Sequence, residues 1–308
     1  MKKHFYATID MGSNALRMMV VEKLHPKDKT YQILKKQRAQ LRLGHDVFER
    51  GHISLATMQS AKQVLLEFRQ VIQTYPDCEI VCAATSATRE ATNQKEFVEY
   101  LHKETGIQVN VINGSTEGDL IFLAIKNSLD LSQSNACLLD IGGGSIELSF
   151  VIQGTKKFTQ SYPLGTVRLI ENLKKRSLNE KSISLILGES IHQLTQPILK
   201  FTETYDFNYL VGTGGNIESL GQLRKKICKK EDTHYLSFNE LSLIIKKLQN
   251  LTLQQRIEQL ELRKDRADVI IPASLIVHLV MRQLETQNLI IPHVGLRDGL
   301  LLSTLSGV

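Results

Sequence analysis

Two stretches of this chain repeat one pattern half a chain apart, and that repeat constrains the fold more than any other feature. Phe5 to Asp10 and Leu16 to Glu22 read as apolar strands around a Gly12-Ser13-Asn14 turn. Ala136 to Asp140 and Ile146 to Ile152 read as apolar strands around Ile141-Gly142-Gly143-Gly144-Ser145. Each unit runs strand, Asp, apolar residue, Gly, then Ser near the tip, and the two aspartates, Asp10 and Asp140, lie 130 residues apart. One such hairpin is an ordinary tight turn. Two at this spacing point to a duplicated domain.

The rest of the chain fits that frame. At 308 residues it is long enough for two domains, each able to bury a core without disulfide or metal staples. Strands at Glu79 to Ala84 and Ile107 to Ile112 alternate with helical patterns in the first half. Ser54 is positioned to cap a helix whose apolar face runs Leu55, Met58, Val64, Leu65, Phe68, Val71 and Ile72. Asn93 and Glu96 have the spacing of a capping box, and Ser115 is placed to cap the helix carrying Glu117. The second half is richer in helix: Thr166 to Lys175, Glu180 to Phe201, Gly215 to Lys226, Asn239 to Leu248, and Ala267 to Leu284 with Pro272 marking a start or kink. Leu289 to Ile291 reads as a strand before a last helix. The alternation is that of an α/β protein. The expected domains are residues 1–125 and 126–308, with a final helix at about 296–308 able to pack back on the first.

Lys and Arg total 38 against 32 acidic residues, a formal net charge of +6. Such a surplus suits nucleic acid, an anionic surface or a polyanionic small substrate. No run approaches the roughly 18 uninterrupted apolar residues of a membrane span, and no apolar leader precedes Asp10. The four cysteines form no C-x-x-C pair, so reduced thiols in the cytoplasm are expected, with the N-x-S/T matches at Asn113 and Asn250 fortuitous. Lys174-Lys175-Arg176, Arg224-Lys225-Lys226 and Lys229-Lys230 would be the footprint of a polyanion- or nucleic-acid-binding protein, or simply solvated helix faces.

Glycines at a strand-end turn let successive backbone N–H groups approach phosphate oxygens, and a serine adds a hydroxyl. A carboxylate repels phosphate, so Asp10 and Asp140 are better suited to holding hydrated Mg²⁺. A third segment, Val211-Gly212-Thr213-Gly214-Gly215-Asn216, follows an apolar strand and opens a helix, directing N–H groups at an anion. It lacks the sixth-position glycine of the dinucleotide fingerprint, and the chain has no P-loop. Together the three turns point to phosphate binding.

Those residues also carry a resemblance. I-D-M-G-S-N-A-L-R (Ile9 to Arg17), A-T-S-A-T-R-E (Ala84 to Glu90), D-I-G-G-G-S-I-E (Asp140 to Glu147), V-G-T-G-G-N (Val211 to Asn216), D-R-A-D-V-I-I-P (Asp265 to Pro272) and G-L-R-D-G-L-L (Gly295 to Leu301) resemble, in order, the exopolyphosphatase and guanosine pentaphosphate phosphohydrolase family. The resemblance implies an α/β fold of the actin-like ATPase superfamily, two ribonuclease-H-like domains flanking a cleft. It implies Mg²⁺-dependent release of terminal phosphate, or the use of another divalent cation. Glu117 matches the base that orients the attacking water; many relatives have two adjacent carboxylates there, whereas Thr116 precedes Glu117 here. Arg89 matches a phosphate-facing catalytic arginine, and Glu147 an acidic residue tied to both metal and catalysis. Asp10 and Asp140 match metal-associated positions. Ser13, Asn14 and Arg17 match the first phosphate loop, Gly142, Gly143, Gly144 and Ser145 the second, and Gly212, Gly214 and Gly215 the third. Larger relatives carry a C-terminal helical extension of the HD type beyond the point this sequence reaches. The resemblance further suggests a homodimer acting on polyphosphate or guanosine pentaphosphate, with neither nucleic acid nor membrane as partner. A nucleotide-dependent kinase or ATPase of the same superfamily is the alternative enzyme, and a non-catalytic polyanion-binding protein the alternative outside enzymes.

Overall fold

In the computed structural model, which describes residues 3–25 and 30–306, the expected hairpins form the centres of two separate sheets. The chain divides into two compact units, Met1–Ala124 with Gly295–Val308, and Ile125–Val294.

In the first unit β1 (His4–Met11) and β2 (Leu16–Lys23) pair antiparallel, with Asp10 opposite Arg17. β3 (Tyr31–Ala39) adds outside β2. Its largely polar sequence, exposed to half-buried throughout, lacks a strict apolar–polar alternation, so its pattern does not announce it. Next come α1 (Leu43–Arg50) and α2 (Leu55–Ile72). Ser54 does cap α2, accepting from the Thr57 amide at 3.3 Å. The buried face of α2 is Met58, Ala61, Leu65, Phe68 and Ile72; Leu55, at the helix start, is 66% exposed rather than part of it.

The unit continues through β4 (Glu79–Ala84), α3 (Ser86–Glu90), α4 (Gln94–Thr105), β5 (Val109–Val111) and α5 (Gly114–Ser128). Two expected caps are corrected here. Asn93 makes no capping bond; its amide instead holds the Ile53 backbone, accepting from N–H and donating to C=O at 2.9 Å each. α5 is capped by Asn113, whose Oδ1 accepts from the Thr116 amide at 2.8 Å, not by Ser115, which lies inside the helix. The strand order is β3-β2-β1-β4-β5, with β4 and β5 parallel to β1.

The second unit rebuilds that sheet. β6 (Asn135–Ile141), β7 (Ile146–Ile152) and β8 (Thr155–Tyr162) form an antiparallel meander, followed by α6 (Thr166–Lys175). The helix expected over Glu180 to Phe201 is broken into a 3-10 turn (Glu180–Ser182), α7 (Ile183–Ser190) and α8 (His192–Thr202). Pro197 inside α8 lacks an N–H and crowds the carbonyl four residues back, and the break between α7 and α8 falls upstream at Ile191. β9 (Tyr209–Thr213) then pairs parallel with β6 and leads into α9 (Gly215–Cys228). β10 (Tyr235–Ser237) follows, then α10 (Phe238–Gln249), closed by a Ser237–Glu240 capping box. α11 (Leu253–Leu260), α12 (Lys264–Ala267) and α13 (Ile270–Gln283) come next. Pro272 sits in the first turn of α13, where no helical hydrogen bond is lost. β11 (Asn288–Ile290) pairs parallel with β9, giving the order β10-β11-β9-β6-β7-β8. Apart from the extra edge strand β10, this matches the first sheet strand for strand.

From Gly295 the chain rejoins the first unit as α14 (Leu296–Ser306), where Leu301 packs with Met19 and Val21. The last two positions of the helix expected over 296–308 lie outside the described residues. Cys82 and Cys137 are buried, and burial pushes both thiols up, so they stay protonated filler. Among the described residues no helix is long and apolar enough to cross a membrane.

Candidate functional site: two glycine hairpins

The two hairpin tips have the same backbone geometry. Gly12 N donates to Ala15 O at 3.1 Å, and Gly142 N to Ser145 O at 3.0 Å. Each loop is also braced by the helix that follows its meander. In the first unit Gly44 N, at the start of α1, donates to Ser13 O at 2.9 Å. In the second, the start of α6 takes three consecutive loop carbonyls. Thr166 N donates to Gly142 O at 3.1 Å, Val167 N to Gly143 O at 2.8 Å, and Gly165 N to Gly144 O at 3.2 Å. Arg168 adds its Nε at 2.8 Å to Gly144 O and its amide at 3.1 Å to Gly143 O.

This bracing decides where the loop's amides point. In a trans peptide C=O and N–H are antiparallel, so pinning the carbonyls of Gly142, Gly143 and Gly144 against α6 turns the N–H groups of Gly143, Gly144 and Ser145 the other way. Among the described residues none of those three amides has an acceptor. Successive amides turned to one side form an anion-binding nest. The N-terminal amides of α6 are spent on the loop carbonyls, so the amides left open to an anion are those of the loop, not of the helix end. Gly165 is required by this packing: a Cβ there would lie 2.3 Å from the Gly144 backbone. Sequence reasoning missed Gly165, Thr166 and Arg168; a glycine followed by threonine at a helix start was the available signal.

Behind the tips, residues facing one another across the strands form a row on each sheet. In the first unit the row is Arg38, Arg17, Asp10 and Ala83. Arg17 Nη1 lies 3.2 Å from Asp10 Oδ2, and Asp10 is 6% exposed. In the second unit the matching row is Ser161, Glu147, Asp140 and Thr213. Ser161 Oγ donates to Glu147 Oε1 at 2.7 Å, and Thr213 Oγ1 donates to Asp140 Oδ1. Glu147 is buried, at 3% exposure. Two carboxylates side by side are a set of hard oxygen donors of the kind that binds Mg²⁺. The first row offers one carboxylate already ion-paired.

The third turn is split in its uses. Gly212 lies inside β9, with its α-carbon against Ile217 and Leu289 side chains, a packing position rather than a ligand-facing one. Gly214 has φ +91, and a Cβ there would lie 2.8 Å from Ile141 O and 3.3 Å from Asp140 Oδ1, so only glycine keeps room beside that carboxylate. Gly215 borders a cavity of about 370 Å³ that Glu218, Gln222, Arg266 and His293 also line.

The remaining first-unit residues are held as follows. Ser13 Oγ accepts from the Ala87 amide at 3.2 Å and meets Ser86 Oγ at 2.9 Å, tying the first loop to α3. Asn14 Oδ1 accepts from Arg42 Nε at 2.7 Å. α3 carries Arg89, whose Nη1 donates to Ile112 O at 2.8 Å and reaches Glu117 Oε2 at 3.4 Å. Glu117, in the first turn of α5, is 6% exposed. The structure thus unites Ser13, Arg89 and Glu117 through α3, and Asp140, Glu147, Gly214 and the Gly142–Ser145 loop around β6.

A 3-2-1-4-5 strand order in the first unit, repeated in the second around a glycine-tipped hairpin, is that of a two-unit α/β fold of the actin-like ATPase type, built from ribonuclease-H-like units. The Ppx/GppA phosphatase family model matches residues 20–307, and the chain belongs to that family. Exopolyphosphatase 1 of Mycobacterium tuberculosis is 27% identical over 304 residues, covering 96% of this chain and 87% of that protein. The guanosine-5'-triphosphate,3'-diphosphate pyrophosphatase of Vibrio campbellii is 27% identical over 300 residues, covering 96% of this chain and 58% of that protein. Among solved structures, an exopolyphosphatase from Cytophaga hutchinsonii superposes with a TM-score of 0.89 at 22% identity, covering 99% of this chain and 98% of that one. A Ppx/GppA family member from Aquifex aeolicus gives 0.76 at 25% identity, covering 99% of both chains.

Proposed function

We propose that this protein is a phosphoanhydride hydrolase that releases terminal orthophosphate from inorganic polyphosphate or guanosine pentaphosphate. The observation that carries this reading is the braced loop of the second unit, three outward amides beside the Asp140–Glu147 carboxylates. Such amides suit a chain of phosphoryl groups, because they bind negative oxygens without being consumed by the reaction. The names of the mycobacterial and Vibrio relatives support the same two substrates.

Asp140 and Glu147 are the residues that would hold Mg²⁺, with Gly214 leaving the space beside Asp140. When bound, the cation would supply charge neutralisation for phosphoryl oxygens. Glu117 is the proposed base. Its carboxylate takes a proton from water as the water oxygen bonds to the terminal phosphorus; the bridging P–O bond breaks, and the shortened chain leaves with that bond's electrons. Arg89, anchored on Ile112 O, holds Glu117 in place and is the side chain in this unit suited to terminal phosphate charge. Asp10 is assigned to orienting Arg17 rather than to metal.

Phosphate release from both substrates, measured with Mg²⁺ and with a chelator, tests the reading. Release is expected only with the cation, and Glu117→Gln is expected to lower kcat by about 10²- to 10⁴-fold with folding intact. Turnover of ATP that appears only when a phosphoryl acceptor is added would replace hydrolysis with a kinase reaction.

A further inference from the structure

A buried chain of hydrogen bonds in the second unit runs from a cation to the glycine loop, through side chains that the proposed reaction does not itself use. Arg266 Nη1 donates to Asn216 Oδ1 at 2.9 Å. Asn216 Nδ2 donates to Thr166 Oγ1 at 3.1 Å. Thr166 Oγ1 donates in turn to Gly142 O at 3.4 Å, the carbonyl that the Thr166 amide also reaches at 3.1 Å. Thr166, Asn216 and Arg266 are 0%, 1% and 4% exposed, so water does not compete for these bonds. The far end is fixed as well. Arg256, 1% exposed, grips Glu180 with both terminal nitrogens and donates to the carbonyls of Leu248 and Ala267, next to Arg266.

The polarity of the chain is consistent throughout. A guanidinium donates to an amide oxygen, the amide nitrogen to a hydroxyl, and the hydroxyl to a peptide carbonyl. The Asn216 orientation is fixed by its neighbours, since a reversed amide would aim an NH₂ group at a cation. The receiving carbonyl, Gly142 C=O, belongs to the same peptide as the Gly143 N–H. Donors on that carbonyl hold the peptide plane and polarise it, which strengthens the outward N–H as a donor.

We propose that Asn216 and Thr166 are positioning residues that set the direction and donor strength of the Gly143 amide, and so the affinity of the loop for phosphate. This deepens the hydrolase reading and rests on it for the kinetic arm of the test. The three side chains come from the start of α6, the third glycine turn and α12, so the bridge makes one rigid body of segments far apart in sequence.

The test uses the full chain with Thr166→Val, which keeps shape but removes the hydroxyl, Thr166→Ser, which restores it, and Asn216→Ala. Two readouts are followed: steady-state kinetics on polyphosphate, and the amide resonances of Gly143, Gly144 and Ser145 during titration with tripolyphosphate. Thr166→Val and Asn216→Ala are each expected to raise KM about tenfold with kcat changed much less, and Thr166→Ser to sit near wild type. The double variant is expected to be no worse than the worse single one, since both cut one chain. In the titration the Gly143 resonance should move less, and at higher tripolyphosphate, in Thr166→Val. A lowered melting temperature with KM and the three resonances unmoved would make the bridge purely structural and overturn the proposal. So would strictly additive losses in the double variant. Should Asn216→Ala fail to fold, the Val and Ser variants at position 166 carry the comparison alone. Should wild-type protein release no phosphate, the hydrolase reading fails, while the titration still decides the positioning role.

Discussion

The hairpins β1–β2 and β6–β7 close with the same bond, sit at the centre of the same strand order and are each braced by the following helix. What crosses the sheet behind them differs. Asp10 faces Arg17, with Arg38 beyond, so the first row carries a formal surplus of positive charge. Asp140 faces Glu147, with Ser161 beyond, so the second carries two negative charges. Cross-strand neighbours lie about 5 Å apart, where two like charges repel by about 3 kcal/mol at an effective dielectric near 20. Hydroxyl bonds from Ser161 and Thr213 offset part of that cost, and a divalent cation would reverse it. The bracing differs in the same direction, with three carbonyls pinned in the second loop and Ser13 O in the first. The rows differ most in charge at Arg17 against Glu147, and under the proposed function the second row is the one that would hold a cation.

The largest effect that would sharpen this contrast is at the carboxylates. Asp140→Asn is expected to lower kcat/KM by about 10³-fold, and Asp10→Asn by about tenfold, in phosphate-release assays. Equal losses would erase the division of labour. Next come the two bracing glycines. At Gly165 an added Cβ meets the Gly144 backbone, which has nowhere to go, and Gly165→Ala should cost about 3 kcal/mol in denaturant unfolding. At Gly44 the nearest atoms belong to the Phe48 ring at 2.6 Å, a side chain rather than backbone, with Ser13 O at 3.1 Å, and Gly44→Ala should cost less, about 1 kcal/mol. Ser161→Ala removes the bond to Glu147 and should cost about 1 kcal/mol, read as a modest loss of melting temperature.

The smallest effects should be alike in the two units. Burial alone would raise Asp46, but bonds from the Ser54 and Thr57 hydroxyls and the Ser54 amide hold it below the usual carboxylate range. Burial also opposes Glu240, and the Arg224 guanidinium with the Ser237 amide and hydroxyl holds it down. A carboxyl depressed in the folded state stabilises the fold above its unfolded pKa, and that contribution disappears as pH falls through the folded value. Asp46→Asn and Glu240→Gln should each flatten the dependence of stability on pH in the acid range. A variant that kept the full wild-type slope would remove its carboxylate from the acid response.

The duplication was legible because glycines and aspartate at a strand end leave a local signature, and the buried strands β1, β6 and β9 are apolar enough to read directly. The edge strands β3 and β8 were not, since their sequences are polar and only pairing with β2 and β7 makes them strands. Glu117, Arg89 and the glycines were reachable through motif resemblance. The bracing by Gly165, Thr166 and Arg168 and the Asn216 bridge were not, because each joins residues far apart in sequence through geometry. Gly212 shows the converse: the motif suggested a ligand-facing glycine, and packing against Ile217 and Leu289 explains it.

The division of labour between the hairpins is tested most directly by calorimetric titration of Mg²⁺ into wild-type, Asp140→Asn and Asp10→Asn protein. The account expects binding in wild type and Asp10→Asn, and its loss in Asp140→Asn. Binding that survives in Asp140→Asn but vanishes in Asp10→Asn would contradict it.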